Sequence, residues 1–389
     1  MHQTKIQATS LALFCKVVDN FGDIGICWRL ARQLEREHGI AVTLWVDDLR
    51  SFQRICPEVS VERETQEIAN VTVRHWGDQS APFTPEDIAD IVIEFFACDI
   101  PPTYIAAMAQ RSPKPVWLNL EGLSAETWVE GCHTLSSLPS QSLTKYFFFP
   151  GFTDKTGGLL RESELQQQRH AFQREPAEML AFLAQFGVTA AEMASLKVSL
   201  FCYPHAPVSA LFDSWKNGAT AITCLIPEGV AVDAVQTFLG QDATAGATTT
   251  RGALTVRVLP FMPQPAYDKL LWACDLNFVR GEDSFVRAQW SGKPFIWHIY
   301  SQDKDLHHVK LKAFLQCHKA KTESSTAFCL GWNGATDDNL HWASNLPENW
   351  ALFEADLEKI AMLSTNWEHQ MMENGDFTSN LLKFAETVR

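Results

Sequence analysis

Apolar positions along the chain fall into short continuous runs separated by stretches of helical period. The first series lies at 11–18, 41–46, 71–76, 90–96 and 115–120. These runs are rich in Val, Ile and Phe, the pattern of strands buried on both faces. Behind the first run, Ile24, Cys27, Ala31 and Leu34 recur at three-to-four spacing and Gly39 stands where a helix stops. The pattern predicts a strand followed by a helix from about residue 24.

A second series follows at 198–201, 219–226, 254–259, 276–279 and 295–299, again with helical stretches between. Two consecutive strand–helix series predict an α/β chain with two doubly wound parallel sheets. The stretch between them differs in character, from Phe147-Phe148-Phe149-Pro150-Gly151 through Gly157-Gly158 to Gln166-Gln167-Gln168. The expected organisation is therefore a first domain at 1–150, linker and junction helices at 151–195, and a second domain at 196–345. Helices at 346–389, helical in pattern over 350–363 and 367–387, would complete it and could cross back to the first domain. The polar stretch 241–250, rich in Ala and Thr, reads as a surface loop.

Composition narrows the function. The 389 residues are 46% hydrophobic, too apolar for disorder and too many for one ordinary core. Lys and Arg number 32 against 46 Asp and Glu, a formal charge of -14. Such a chain lacks the basic footprint of a nucleic-acid binder and suits a basic ligand or protein segment. Ten cysteines without a C-x-x-C pair, several inside apolar runs, read as buried thiols of a reducing compartment. No secretory leader and no apolar stretch near the ~20 residues of a membrane span are present, which points to a cytoplasmic protein with no membrane partner.

Two turns could carry chemistry. In Val18-Asp19-Asn20-Phe21-Gly22-Asp23-Ile24-Gly25, glycines at a strand-to-helix turn let the backbone approach a ligand, but the spacing is neither G-x-G-x-x-G nor a P-loop. Asp19 and Asp23 either grip a cation at the carboxyl end of the first strand or serve locally, Asp23 as helix cap and Asp19 as turn former. In Arg280-Gly281-Glu282-Asp283-Ser284, Ser284 or Asp283 is a natural helix cap. The N–H groups there, with Arg280, either hold a diphosphate or make an ordinary capped helix. Glu282 would repel phosphate but can accept sugar hydroxyls, so the combination favours a nucleotide sugar. Phe261 and Gln264 lie in a proline-rich loop where a pyrimidine could stack. The run Asp303-Lys304-Asp305, followed by His307-His308, reads as the polar start of a helix and not as a metal site.

Three longer motifs then fit together. Residues 19–34, Phe149-Pro150-Gly151-Phe152-Thr153-Asp154-Lys155-Thr156-Gly157-Gly158-Leu159, and residues 271–284 closely resemble the bacterial EarP family of protein-arginine rhamnosyltransferases, and the resemblance runs over essentially the whole chain. It implies a GT-B glycosyltransferase, two Rossmann-like domains facing a central cleft. The implied reaction is inverting transfer of L-rhamnose from dTDP-β-L-rhamnose to one arginine of elongation factor P, activating it for translation of polyproline stretches. No metal or other cofactor is implied.

By the same resemblance Asp19, Asp23 and Glu282 match catalytic carboxylates. Phe201, Phe261 and Gln264 match positions around the thymine, and Tyr203, Arg280, Asp283, Ser284 and Tyr300 positions near the diphosphate. Pro204-His205-Ala206 departs from the family's pattern. The residues alone leave two other readings, a GT-B transferase with another nucleotide sugar and a small-molecule acceptor, or a non-catalytic nucleotide-sugar-dependent binding protein.

Overall fold

The structure is a computed structural model that describes residues 10–19, 21–77, 83–140, 142–336 and 339–389, with backbone alone at 339 and 340. It contains two compact units, Met1–Ser163 with Met371–Arg389, and Glu164–Gln370.

The first unit is built on eight strands, β1 (Ser10–Cys15), β2 (Ala41–Val46), β3 (Thr65–Ile68), β4 (Val71–His75), β5 (Ile91–Phe95), β6 (Val116–Leu120), β7 (Ser136–Ser140) and β8 (Leu143–Phe148), in the order β3-β4-β2-β1-β5-β6-β8-β7. Neighbours pair in parallel except at the edges, where β3 and β7 are antiparallel. The parallel strands thus run 3-2-1-4-5-6 in their own chain order, the Rossmann winding. Successive side chains of β1 explain why both faces are apolar. Leu11, Leu13 and Cys15 enter a core with Ile24, Cys27 and Leu30 of the helix Gly22–His38. Ala12 and Phe14 enter the opposite core with Tyr104 and Trp117.

The second unit carries β9 (Leu196–Leu200), β10 (Ile222–Pro227), β11 (Thr248–Arg251), β12 (Leu254–Leu259), β13 (Leu276–Arg280) and β14 (Phe295–His298), ordered β11-β12-β10-β9-β13-β14. All pairs are parallel except β11 with β12. The end of the stretch expected as a surface loop is therefore an edge strand. Its residues are exposed or half-buried, so no buried face imposed an apolar alternation on it.

The division of the chain also differs from the expected one. Residues 151–163 are part of the first unit because Leu159 pairs with Asp376, while Asn374 and Asn380 donate to the Phe152 and Gly157 carbonyls. The helix Leu165–Arg174 belongs to the second, where Arg169 donates through Nη2 to both oxygens of Glu368 at 2.6 Å. The C-terminal helices are likewise shared between the units, and the segment 367–387 is broken at Gly375 (φ 75°) into the helices Leu357–Glu373 and Phe377–Val388. No helix among the described residues is long and apolar enough to cross a membrane.

Candidate functional site

In each winding the strand order reverses beside the first strand, between β1 and β5 and between β9 and β13. Ligands of open α/β sheets bind beyond the carboxyl ends of strands at such points. The residues that follow these four strands are the candidates.

Beyond β1 the main chain is held by carboxylates. Val17 N–H donates to Asp47 Oδ1 at 2.8 Å, and the N–H groups of Val18 and Asp19 donate to Asp23 Oδ2 at 2.7 and 2.9 Å. Asp23 lies in the first turn of the helix Gly22–His38, whose N-cap is Phe21 with no side-chain cap bond. It therefore reaches back to the loop and does not cap the helix. Gly22 donates to the Asp19 carbonyl at 2.7 Å, and a Cβ on Gly22 would stand 3.1 Å from Asp19 Oδ2. The glycine lets the Asp19 carboxylate fold over the start of the helix. Asn20 lies outside the described residues. Asp23 is only 5% exposed. Burial raises its carboxyl above the ordinary value, opposed by the two N–H donors and reinforced by the nearby Asp19 and Asp47 charges.

Beyond β5 lies a feature absent from the sequence reading. Phe96, Ala97 and Asp99 all have positive φ, 53°, 49° and 57°, a backbone state costly for residues other than glycine. Two buried side chains impose it. Asn119 Oδ1 accepts Ala97 N–H at 2.9 Å, and Glu94, ion-paired with Lys145 at 3.1 Å, accepts Asp99 N–H at 3.3 Å. The available signal was Glu94 inside the apolar run 90–96.

In the second unit four predicted residues converge. The Arg280 guanidinium at the end of β13 lies 4.2 Å from the Phe201 ring centre and 5.0 Å from that of Tyr203, and donates to the Cys202 carbonyl at 3.1 Å. The Tyr300 ring stands 5.8 Å from that of Tyr203. Stacking between aromatic faces fixes a planar cation in one orientation.

Gly281 (φ 63°) then turns the chain into the short helix Asp283–Gln289, whose N-cap is Glu282. Ser284 is not a cap, because its hydroxyl accepts Arg280 N–H at 3.0 Å and donates to the Arg280 carbonyl. It braces the turn instead. Gln264, at the start of the helix Gln264–Ala273, approaches Asp283 at 3.4 Å. One turn further on both helices, Arg287 and Asp268 form a buried two-pronged ion pair at 3.0 and 2.8 Å. Phe261 is exposed in the preceding loop. Tyr267, not singled out in the sequence, lies edge-on to Phe201 at 5.8 Å. Glu282 belongs to the second unit and Asp19 and Asp23 to the first.

Asp305, His307 and His308 bring ligand-type atoms within 4.8 Å of one another. His307 Nδ1 faces Gln302 N–H at 3.1 Å and His308 Nε2 faces the Asn333 carbonyl at 3.0 Å. These partners leave a lone pair on His308 Nδ1 but put the proton of neutral His307 on Nε2, the atom that would have to bind a metal.

The family model described as "Elongation-Factor P (EF-P) rhamnosyltransferase EarP" matches residues 11–386. The chain is 48% identical to the protein-arginine rhamnosyltransferase of Pseudomonas putida over 336 residues, 85% of this chain and 88% of that one. It is 42% identical to the Pseudomonas aeruginosa enzyme over 378 residues, 96% and 97% of the two chains. Among solved structures, one described as the structural basis for EarP-mediated arginine glycosylation of translation elongation factor EF-P superposes with a TM-score of 0.67 at 31% identity, covering 98% of this chain and all of that one. A glycosyltransferase from Rickettsia africae, at 9% identity, shares the fold alone, with a TM-score of 0.52 over 99% of this chain and all of that one. With two Rossmann-like sheets of the GT-B class and a match over nearly its full length, the chain belongs to the EarP family of protein-arginine rhamnosyltransferases.

Proposed function

We propose that the chain transfers L-rhamnose from dTDP-β-L-rhamnose to one arginine of elongation factor P, with inversion and without a metal. The observation that carries this reading is the Arg280 guanidinium stacked on Phe201 and Tyr203 at the switch point of the second sheet. It is a fixed cation where a nucleotide diphosphate would lie. The structure of EarP-mediated EF-P arginine glycosylation supports the acceptor, and the resemblance supports the donor.

In this reading Arg280 offsets the charge that develops on the leaving diphosphate, the part a divalent ion plays elsewhere. Tyr203, Tyr300, Asp283 and Ser284 shape its surroundings, Phe201, Phe261 and Gln264 hold the thymine, and Glu282 accepts sugar hydroxyls. The free buried thiols suit a reducing, cytoplasmic setting.

A guanidinium stays charged at any physiological pH and its nitrogen is a poor nucleophile. Asp19 pairs with it and orients one nitrogen toward the anomeric carbon. As the N–C bond forms and the bond from carbon to diphosphate oxygen breaks on the opposite face, the nitrogen's proton passes to a carboxylate of the acidic turn and dTDP leaves. Asp23, with its raised proton affinity, holds the turn in shape.

The test is intact-mass measurement of elongation factor P after incubation with this protein and dTDP-rhamnose. A gain of one deoxyhexose, mapped to arginine, is the expected result. An unchanged mass with folded protein and fresh donor overturns the reading.

A further inference from the structure

The Arg280 and Tyr203 pairing depends on where the main chain of Tyr203 lies, and two histidines outside the predicted site hold it. His298 ends β14, directly opposite Arg280 in the register of β13 with β14, and is fully buried. Its Nδ1 lies 3.2 Å from the Tyr203 backbone nitrogen, and its Nε2 lies 2.8 Å from Nε2 of His205.

The proton positions follow by elimination. A backbone N–H can only donate, so His298 Nδ1 must present a lone pair and the proton of the neutral ring sits on Nε2. That N–H then donates to His205 Nε2, which places the His205 proton on Nδ1. Adding a proton to either ring sets two donors face to face. Burial holds both imidazoles below their ordinary value, His298 down to about 3, consistent with a neutral pair.

We propose that His298 and His205 form a two-ring relay of fixed tautomers that positions Tyr203, and through it the Arg280 cation, for the donor diphosphate. They are positioning residues. This role rests on the donor reading given above. The charged and titratable groups that face the pair are Arg280 and His307, with His308 and Asp305 facing His307 in turn. Ser301 Oγ lies 3.5 Å from His205 Nε2, and the Tyr203 ring is parallel to that of His205.

The relay makes a prediction opposite in sign to that of a simple positive charge. A histidine acting as a phosphate-binding cation would tighten donor binding as pH falls. A relay that protonation breaks would loosen it.

The experiment measures dTDP-rhamnose affinity by calorimetry between about pH 7.5 and 5.5, with circular dichroism confirming the fold. In this donor both phosphates are esterified, so the ligand itself does not titrate over the range. Because burial holds both rings below their ordinary value, affinity is expected to hold near neutral pH and to fall only toward the acid end of the range, where His205 begins to take up a proton. His205→Leu should weaken binding roughly 10-fold at pH 7.5 by leaving the His298 N–H unpaired. His205→Gln, whose amide oxygen can accept that N–H but does not titrate, should recover most of the loss and flatten the acid limb.

Long-range proton–nitrogen NMR of histidine-labelled wild-type protein reads the tautomers without any variant, and should find His205 protonated on Nδ1 and His298 on Nε2. The other tautomers overturn the relay. So does donor binding that is indifferent to pH and to His205→Leu, or that strengthens in acid. Absence of donor binding at every pH instead overturns the donor reading, and this role with it.

Discussion

The carboxylate of Asp23 accepts the backbone N–H of Asp19 at 2.9 Å, so one acidic residue of the turn fixes the main chain of the other. Their substitutions should therefore separate. Asp23→Ala strips the partner from two N–H groups, each costing about 1–3 kcal/mol if left unmet, and should lower stability in urea unfolding. Asp23→Asn keeps an acceptor oxygen. Because burial raises the Asp23 pKa, its stabilising contribution is present at acid pH and is lost as pH rises through the folded value. Asp23→Asn should consequently be neutral or stabilising at pH 7 while slowing transfer. Asp19→Asn should leave stability nearly unchanged and reduce single-turnover transfer at least ~10²-fold. Near-normal transfer by Asp19→Asn would return that residue to a purely local role.

Donor binding should survive EDTA and should not survive loss of the stacked guanidinium. Arg280→Met is expected to weaken dTDP-rhamnose affinity by about 10- to 100-fold, the range for losing a charged hydrogen-bond partner. Arg280→Lys should rescue only part, since an ammonium neither stacks on Phe201 and Tyr203 nor keeps a planar fork. Calorimetry with and without magnesium checks both, and binding that requires the ion would remove the arginine from its assigned task.

The ion pair between Arg169 and Glu368 is a stability element of the second unit. Arg169 also donates to the Ser291 carbonyl at 3.2 Å, and Gln166 reaches Glu368 at 3.0 Å. Removing one partner strands a buried charge, so Glu368→Leu should cost about 3–5 kcal/mol. The double change Arg169→Met with Glu368→Leu should recover much of that in denaturant unfolding. Additive losses would show that the pairing itself is unimportant.

Acid should destabilise both units. His133 of the first, pushed down to about 4, and His298 and His318 of the second, each down to about 3, are kept neutral by burial. A histidine whose folded pKa lies below its unfolded value contributes fully above about pH 6.5. That contribution fades as pH falls toward the folded pKa, at about 1.4 kcal/mol per pH unit for each such group. Thermal melts from pH 7.5 to 5 should show the decline, and His318→Phe should blunt it. A flat profile would mean that these rings take up protons as readily in the native state as in the unfolded chain.

Acceptor selection should need a folded protein, since one arginine offers too little contact to single out a site. Transfer to folded elongation factor P should exceed transfer to a short peptide carrying the same arginine loop, as read by mass spectrometry. Equal efficiency would show that the surrounding fold contributes nothing.

Much of the architecture is legible in the residues because burial on both faces forces it. β2 and β12 lie over the same residues as their apolar runs, and Gly39 ends its helix with φ 64°. The antiparallel edge strands were not legible. Thr248-Thr249-Thr250-Arg251 and Ser136-Ser137-Leu138-Pro139-Ser140 expose most of their side chains, so neither carries an apolar pattern. At the candidate site, the residue types at the strand ends could be read, but the hydrogen-bond partners could not. Ser284 was expected to cap a helix; it does lie at the helix start, but its hydroxyl closes on Arg280 four residues earlier. Asp23 binds backward in the chain. His298 and His205 are 93 residues apart and meet only because β14 and the chain beyond β9 both leave the sheet at its carboxyl end.

The helix Phe377–Val388 sends Phe377, Leu381, Leu382 and Ala385 into the core beneath β1. On a ribosome this inverts the usual order of domain maturation. The strands of the first unit emerge early but lack one wall of their core until Met371–Arg389 has followed, whereas Glu164–Gln370 is contiguous and complete before then. A chain released at about residue 370 should thus hold a folded second unit and a first unit that lacks its last helix, exposing apolar surface that invites chaperones.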